Sequence, residues 1–239
     1  VCLALGSASA FTQSYPQKPV RMLVGYSADG GADALARLTA AKLSDALGQP
    51  VVVENRPGAG GTLAADALVR AAPDGYTLYF ADTAILIAPS VYAKVNYDPL
   101  KSFSPVGGVC TLPLAIVANP AFPAKTVAEL VGVLKADPGK YGYGSPGVGT
   151  VQHLAMELFK KRAGVELLHV PYKGAAPIVP DLISGQIPLA IISATPAMAQ
   201  ARAGKAHVIA LTSPVKIAGA PDWPALADTY PGFDASPKL

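Results

Sequence analysis

The chain has 239 residues, of which 51% are hydrophobic and 15% charged, and its formal net charge is +3. This composition excludes an intrinsically disordered chain, and the length allows one large or two small domains with a substantial core. The cations are dispersed except at residues 160–162, where they end a predicted helix and favour its dipole, so no nucleic-acid partner is expected.

The first ten residues are apolar and end in the small-x-small triplet Ala8-Ser9-Ala10. This pattern predicts the remnant of a cleaved secretory signal peptide and therefore a periplasmic protein. Cys2 would leave with the signal, so Cys110 would remain single and no internal disulfide is expected.

The N-terminal half alternates strand-like and helical segments. This β-α-β-α-β order is typical of a parallel sheet covered by helices. Two short apolar runs after it predict strands that cross to a second lobe. The predicted segments are a strand at 20–24, a helix at 34–46 ended by Gly48, a strand at 51–54, a helix at 64–72, a strand at 76–80, and crossing strands at 106–109 and 114–117.

The C-terminal half repeats the alternation, so the chain as a whole predicts an α/β protein. Thr126 is the expected N-cap of its first helix, with Glu129 in the capping-box position. No helix is expected in residues 212–239, which are rich in proline. The predicted segments are helix 126–134, strand 141–143, helix 151–162, strand 167–170, a helix ending at 182, strand 187–192, helix 196–203 and strand 207–211.

Two glycine-rich turns carry the main functional signal. The first glycine turn, residues 26–33, follows the strand at 20–24, and the second glycine turn, residues 144–150, follows the strand at 141–143. Each leads into a helix, so free backbone N–H groups and the positive end of the helix dipole converge there. Two such turns on different lobes would suit a small ligand with two acidic groups. The alternative is structural, because every α/β protein needs turns of this kind.

A second functional hypothesis comes from the pattern Gly142-x-Gly144-x-x-Gly147, which formally matches the dinucleotide fingerprint. It makes an NAD-dependent oxidoreductase the alternative function. Against it, Pro146 interrupts the turn, and Glu166 falls at the start of the next strand instead of its end. The sequence has no hydrolase elbow, no phosphate-binding loop and no metal-ligand spacing of histidines, so no cofactor or metal is expected.

Polar residues near the turns have two possible roles each. His153 lies one turn into the helix that follows the second glycine turn, either beside the ligand or in a structural hydrogen bond. His169 and His207 lie in apolar strands and are expected to be core or strand-end residues. Lys173 either supplies positive charge to the site or is an exposed turn residue.

The two aspartates of the first glycine turn differ in their expected roles. Asp33 is placed to cap the following helix. Asp29 lies within the turn, where its carboxylate would repel an anion but could bind an amino group or hydroxyl of the ligand.

Several longer motifs resemble the Bug family, the TctC-like solute receptors of tripartite tricarboxylate transporters. The resemblance spans nearly the whole chain in the family's order. The motifs are Gly30-Gly31-x-Asp33-x-x-Ala36-Arg37, Gly48-Gln-Pro-Val-Val-Val-Glu-Asn-Arg-Pro-Gly-Ala-Gly-Gly61, Pro73-Asp-Gly-Tyr-Thr-Leu78, Tyr143-Gly-Ser-x-Gly-x-Gly-Thr-x-x-His-Leu154, His169-Val-Pro-Tyr-Lys-Gly174 and Asp181-Leu-Ile-Ser-Gly185.

The resemblance implies a two-lobed, periplasmic-binding-protein-like fold, with each lobe a mostly parallel sheet flanked by helices and the ligand cleft between the lobes. The lobes would comprise residues 14–110, joined by 213–239, and residues 111–212. The implied function is capture of a small dicarboxylic, amino or aromatic acid by a monomeric, non-enzymatic receptor that delivers it to inner-membrane permease subunits. The implied ligand-binding residues are Tyr26, Ser27, Ala28, Asp29, Gly30, Gly31, Ser145, Gly147, Val148, Gly149, Thr150 and His153, with Ser193 and Thr195 as further candidates.

Two departures from the family pattern affect these expectations. Family members have a proline- and glycine-rich turn where this chain has Ser27-Ala28-Asp29, which leaves the ligand class open. They also continue past the position of Leu239 with a segment that helps complete the first lobe. The sequence is therefore expected to be a fragment or a shortened paralogue with part of that lobe uncovered.

Overall fold

The computed structural model describes residues 15–214, 217, 220 and 222–239, so the predicted signal remnant lies outside the described residues. The observed element order confirms the predicted α/β class. The first lobe contains β1 (Val20–Val24), α1 (Gly31–Leu47), β2 (Val51–Asn55), a 3-10 turn (Ala59–Gly61), α2 (Thr62–Val69), β3 (Thr77–Phe80) and α3 (Ala84–Val91). The chain continues with β4 (Leu114–Ala118), α4 (Val127–Ala136), β5 (Gly142–Ser145), α5 (Val151–Ala163), β6 (Leu168–Pro171), α6 (Ile178–Ser184), β7 (Leu189–Ser193), α7 (Ala194–Arg202), β8 (His207–Leu211) and α8 (Leu226–Thr229).

The first lobe is built on a parallel sheet in the order β2-β1-β3. Met22 of the central strand pairs with Val53 on one side and Leu78 on the other. The apolar side chains of β1 pack against Ala36 and Ala40 of α1, whereas Arg21 of the same strand is exposed. Because the strands are parallel, their carboxyl ends lie at one edge, and the first glycine turn is at that edge.

The ends of α1 confirm one prediction and correct another. Gly48 ends the helix in the left-handed conformation, and its N–H donates to the carbonyl of Ser44 at 3.0 Å. At the other end the N-cap is Gly30, not Asp33, because the helix begins at Gly31. Asp33 therefore lies inside the first helical turn.

The sequence pattern does not predict α3, because this helix contains Pro89. Pro89 has no N–H to donate to the carbonyl of Ile85, one turn earlier. The hydroxyl of Tyr97 donates to that carbonyl instead, at 3.3 Å. At the start of the helix, Asp82 Oδ1 accepts the N–H of Ala84 at 2.8 Å. Tertiary contacts thus stabilise a helix that the local sequence disfavours.

The predicted strand at 106–109 is wrong. Val106 is 87% exposed, and Gly107 and Gly108 give the segment no side chains to pack. Val109 and Cys110 instead donate their N–H groups to the carbonyl of Leu239, at 2.6 and 3.1 Å. The second crossing strand, at 114–117, is confirmed as β4.

The second lobe has a five-stranded sheet in the order β6-β5-β7-β4-β8. β5 is parallel to β6 and β7, whereas β4 is antiparallel to both β7 and β8. Four strands therefore share one direction, and β4 opposes them. β4 and β7 are buried on both faces, which accounts for their uninterrupted apolar sequences.

Helices cover both faces of this second sheet. Leu114 and Ile116 pack on one side with Met156 and Phe159 of α5, while the intervening residues of β4 pack on the other side with α6 and α7. Thr126 is the N-cap of α4, as predicted, and accepts the N–H of Glu129 at 3.2 Å.

The C-terminal residues contact both lobes. Leu226 and Phe233 pack into the core of the second sheet, and Leu239 packs against the core of the first. The short helix α8 lies in the segment 212–239, where none is expected from the sequence. The lobe limits given above stay a prediction. No helix among the described residues has the length and apolar character needed to cross a membrane.

Candidate functional site

The first glycine turn is fixed in shape by the carboxylate of Asp33. Asp33 Oδ2 accepts the N–H of Asp29 at 3.0 Å and Nε of Arg37 at 2.9 Å. Asn55 Nδ2 donates to Asp33 Oδ1 at 2.8 Å and to the carbonyl of Tyr26 at 3.0 Å. Burial raises the pKa of Asp33, but hydrogen bonds from Arg37 and Asn55 outweigh it, so the pKa is lowered and the carboxylate stays ionised. Asp33 therefore supports the turn from within α1.

Tyr26 and Asp82 form a buried, hydrogen-bonded pair beneath the same turn. The hydroxyl of Tyr26 donates to Asp82 Oδ2 at 2.8 Å, and both residues are buried. Burial raises the pKa of Asp82, while hydrogen bonds from Tyr26 and from the N–H of Ala84 partly oppose this. The sequence signals Tyr26 only through its position in the turn, and it gives no sign of Asp82.

The hydrogen-bonding groups of the second glycine turn are used mostly within the turn. The hydroxyl of Thr150 donates to the carbonyl of Gly147 at 2.8 Å and accepts the N–H of His153 at 3.2 Å, so Thr150 is the N-cap of α5. The N–H of Gly147 donates to Ser145 Oγ at 3.2 Å, and the N–H of Gly149 donates to His153 Nδ1 at 3.3 Å. The Thr150 hydroxyl therefore has no proton left for a ligand.

Free backbone donors remain at both turns. Within the described part of the chain, no hydrogen bond is donated by three N–H groups in the first turn of α1, those of Gly31, Ala32 and Asp33. The same holds for three N–H groups around the start of α5, those of Val148, Val151 and Gln152. The helix dipoles place partial positive charge at these groups, which is the chemistry that binds a carboxylate.

Two histidines form a stack behind the second glycine turn. The rings of His153 and His169 lie 4.1 Å apart, and Tyr143 stacks on His169 at 5.0 Å. His169 Nε2 lies 2.6 Å from Ser145 Oγ. The structure thus shows the hydrogen bond of His153 to Gly149, whereas contact of His153 with a ligand stays a prediction.

Both rings are held in the neutral form. Burial lowers the pKa of His169 to about 4, with a further lowering from His153. Burial also lowers the pKa of His153, against the opposing charge of Glu157. A neutral His153 ring keeps Nδ1 as an acceptor, which the N–H of Gly149 requires.

The first glycine turn contacts the second lobe directly. A Cβ added to Gly31 would lie 2.5 Å from Ser193 Oγ, which precedes α7. Ser27 lies against Gly174, and its hydroxyl is enclosed without a protein partner among the described residues. Ala28, Asp29 and Thr195 are exposed. The predicted site residues of the first glycine turn and the predicted site residue Ser193 therefore lie together at the boundary between the lobes.

A large apolar cavity lies elsewhere. It has a volume of about 620 Å³ and runs along the first sheet, lined by apolar residues such as Met22, Leu78, Phe103, Val109 and Leu239. None of the predicted site residues lines it. Because its lining is mostly apolar, this cavity does not have the chemistry of a carboxylate site.

The dinucleotide hypothesis is not supported by the position of its glycines. Gly142 and Gly144 lie within strand β5, and a Cβ on Gly144 would meet Ile187 Cδ1 at 2.6 Å. Their role is close packing in the sheet, whereas a dinucleotide-binding turn has its first glycines at the strand-to-helix turn. In the described ranges, no three His, Cys, Asp or Glu side chains are grouped to hold a metal ion.

Two lobes with glycine turns at their boundary define the class of two-lobed solute-binding proteins. The profile of the tripartite tricarboxylate transporter family receptor matches residues 35–238. Protein BugT of Bordetella pertussis is 35% identical over 234 residues, covering 97% of this chain and 72% of that protein. The chain belongs to the tripartite tricarboxylate transporter receptor family.

Solved structures agree with this assignment. The periplasmic binding protein BugD superimposes with a TM-score of 0.89 at 36% identity, over 94% of this chain and 75% of that one. Rpa4515 of R. palustris, solved with adipate, superimposes with a TM-score of 0.89 at 32% identity, over 94% of this chain and 76% of that one. The family is one of periplasmic, non-enzymatic solute receptors, and the comparisons give no support to an oxidoreductase.

Proposed function

We propose that this receptor captures a small carboxylic acid between its lobes, with the ligand's carboxylates on the two glycine turns. The observation that carries the proposal is that α1 and α5, one from each lobe, both begin at the lobe boundary with free N–H groups. Each helix start places about half a positive charge near the ligand. Ser193 and Thr195, at the start of α7, are further candidate contacts on the second lobe.

The first glycine turn bears on the ligand class. The hydroxyl of Ser27 is enclosed at the boundary without a protein partner among the described residues, and Asp29 adds an exposed carboxylate. A carboxylate there favours a ligand that also carries an amino group or hydroxyl. The adipate bound to Rpa4515 is a six-carbon dicarboxylate. We therefore propose four- to six-carbon dicarboxylates, amino acids and aromatic acids as the ligand classes to test.

The expected partners of the receptor are the membrane subunits of its transporter. We propose that the loaded protein acts as a monomer in the periplasm and delivers its ligand to the membrane subunits of a tripartite tricarboxylate transporter. The family assignment supports this delivery step, and the apolar residues 1–10 support export through a cleaved signal peptide.

The test is a thermal-shift screen followed by calorimetry. Ligands of the proposed classes are compared with NAD and NADP at matched concentrations. A ligand present at 100 times its Kd should stabilise the folded protein by about 2.7 kcal/mol, which is a clear rise in Tm. A Tm that rises with NAD or NADP and with none of the carboxylates would contradict the proposal.

A further inference from the structure

One side chain of the first lobe is hydrogen-bonded to the second glycine turn. Tyr92 follows α3, and its hydroxyl donates to the carbonyl of Val148 at 2.6 Å. The Tyr92 ring packs in a cluster of the first lobe that includes Tyr79 and Tyr97. Burial raises the pKa of Tyr92, so the hydroxyl keeps its proton at neutral pH and remains a donor.

The backbones of the two lobes are in close contact around this bond. A Cβ added to Gly60 would lie 2.7 Å from the Val148 carbonyl oxygen and 3.2 Å from the Tyr92 hydroxyl. A Cβ added to Gly149 would lie 3.1 Å from Tyr92 Cε2. The lobes meet here only because neither glycine has a side chain. Tyr92, Gly60, Val148 and Gly149 are called the latch contact below.

The latch contact adds a second hydrogen bond to one peptide group of the second glycine turn. The Val148 carbonyl and the Gly149 N–H belong to the same peptide plane, and the N–H donates to His153 Nδ1 within the second lobe. Tyr92 holds the carbonyl of that plane from the first lobe. When the lobes separate, the bond to His153 remains and the bond to Tyr92 is lost. Lobe closure therefore fixes the plane next to the free N–H of Val148.

We propose that Tyr92 is a latch that stabilises the closed, ligand-holding state through Val148. This inference rests on the proposed carboxylate-binding function. A contact present only in the closed state increases ligand affinity by as much as it favours closure. Because the contact forms after the ligand has entered the open cleft, its loss speeds ligand release and leaves the association rate unchanged.

The test compares Tyr92→Phe with the matched control Tyr97→Phe. The hydroxyl of Tyr97 bonds to the carbonyl of Ile85, so the control removes a tyrosine hydroxyl from the same cluster that makes no hydrogen bond across the lobe boundary. Calorimetry gives the Kd of the carboxylate that binds most tightly in the thermal-shift screen, and stopped-flow fluorescence gives the association and release rates of that ligand. Hydrogen exchange reports on the opening of residues 146–150. Loss of one hydrogen bond predicts a roughly 2- to 12-fold weaker affinity and a matching rise in the release rate for Tyr92→Phe.

The outcomes separate the latch from the proposed function. For Tyr97→Phe we expect a Kd within about twofold of the wild type, together with a lower Tm if α3 is loosened. Release rates and exchange at 146–150 that are unchanged in Tyr92→Phe would overturn the latch. A wild-type protein that binds no carboxylate, while exchange at 146–150 rises in Tyr92→Phe alone, would overturn the proposed function and leave the latch.

Discussion

Replacing Gly60 with alanine should weaken ligand binding by more than it destabilises the fold. Gly60 adopts φ +61° and ψ 26°, a left-handed conformation in which a Cβ costs about 1 kcal/mol. That cost lowers the free energy of unfolding whether the lobes are open or closed. The new Cβ would also lie 2.7 Å from the Val148 carbonyl oxygen, and this second cost exists only when the lobes are closed.

The closed-state cost follows from the geometry of the latch contact. Overpacking against a backbone atom costs about 1–3 kcal/mol, and displacing the Tyr92–Val148 hydrogen bond costs about 0.5–1.5 kcal/mol more. At about 1.4 kcal/mol per factor of ten, the expected loss of affinity for Gly60→Ala is at least about tenfold.

Gly48→Ala is the matched control. Gly48 has nearly the same backbone conformation, with φ +66° and ψ 14°, but a Cβ there meets nothing within 4 Å. Urea denaturation should show similar losses of stability in both variants. Calorimetry with a carboxylate that binds the wild type should show weakened binding only in Gly60→Ala. Equal Kd values in the two variants would refute the closed-state contact.

Two further predictions concern the second glycine turn. Thr150→Val and its control Thr126→Val each remove an N-cap and should each lower the free energy of unfolding by about 1 kcal/mol. Only Thr150→Val should raise the Kd for the ligand, because Thr126 caps a helix away from the glycine turns. Calorimetry that shows equal Kd values for the two variants would contradict this prediction. The free energy of unfolding should also fall as pH drops from about 6.5 to about 4. Between these pH values His169 is protonated in the unfolded chain but stays neutral in the folded protein, because folding lowers its pKa to about 4. Over this range the loss attributable to His169 is at most about 3 kcal/mol, since solvent reaches part of the ring, and urea melts of His169→Gln should show a shallower fall.

Local sequence rules succeed where neighbouring residues decide the structure. Gly48 ends α1 because only glycine adopts the left-handed conformation without cost, and Thr126 caps α4 through a bond to a residue three positions away. The apolar run at 114–117 forms a strand that is buried on both faces, and the strand at 20–24 is buried except at Arg21. The two glycine turns, each between a strand and a helix, follow from the same local signals.

The tertiary structure decides the features that join residues distant in sequence. Pro89 lies in a helix because Tyr97 bonds to the carbonyl that proline leaves free. The pattern at 106–109 predicts a strand that does not form, because two glycines leave its valines exposed. Asp82 is found beneath the first glycine turn only once the parallel strands bring their carboxyl ends together.

The amino-acid sequence alone predicts the α/β class, the two glycine turns and, through its long motifs, the resemblance to one receptor family. It did not determine which atoms of those turns remain free for a ligand, because Thr150 and Gly149 use their hydrogen-bonding groups in bonds to Gly147 and His153. Nor did it indicate Tyr92, whose partner Val148 lies in the other lobe. Such contacts depend on how the two lobes meet, and no local pattern of residues encodes that geometry.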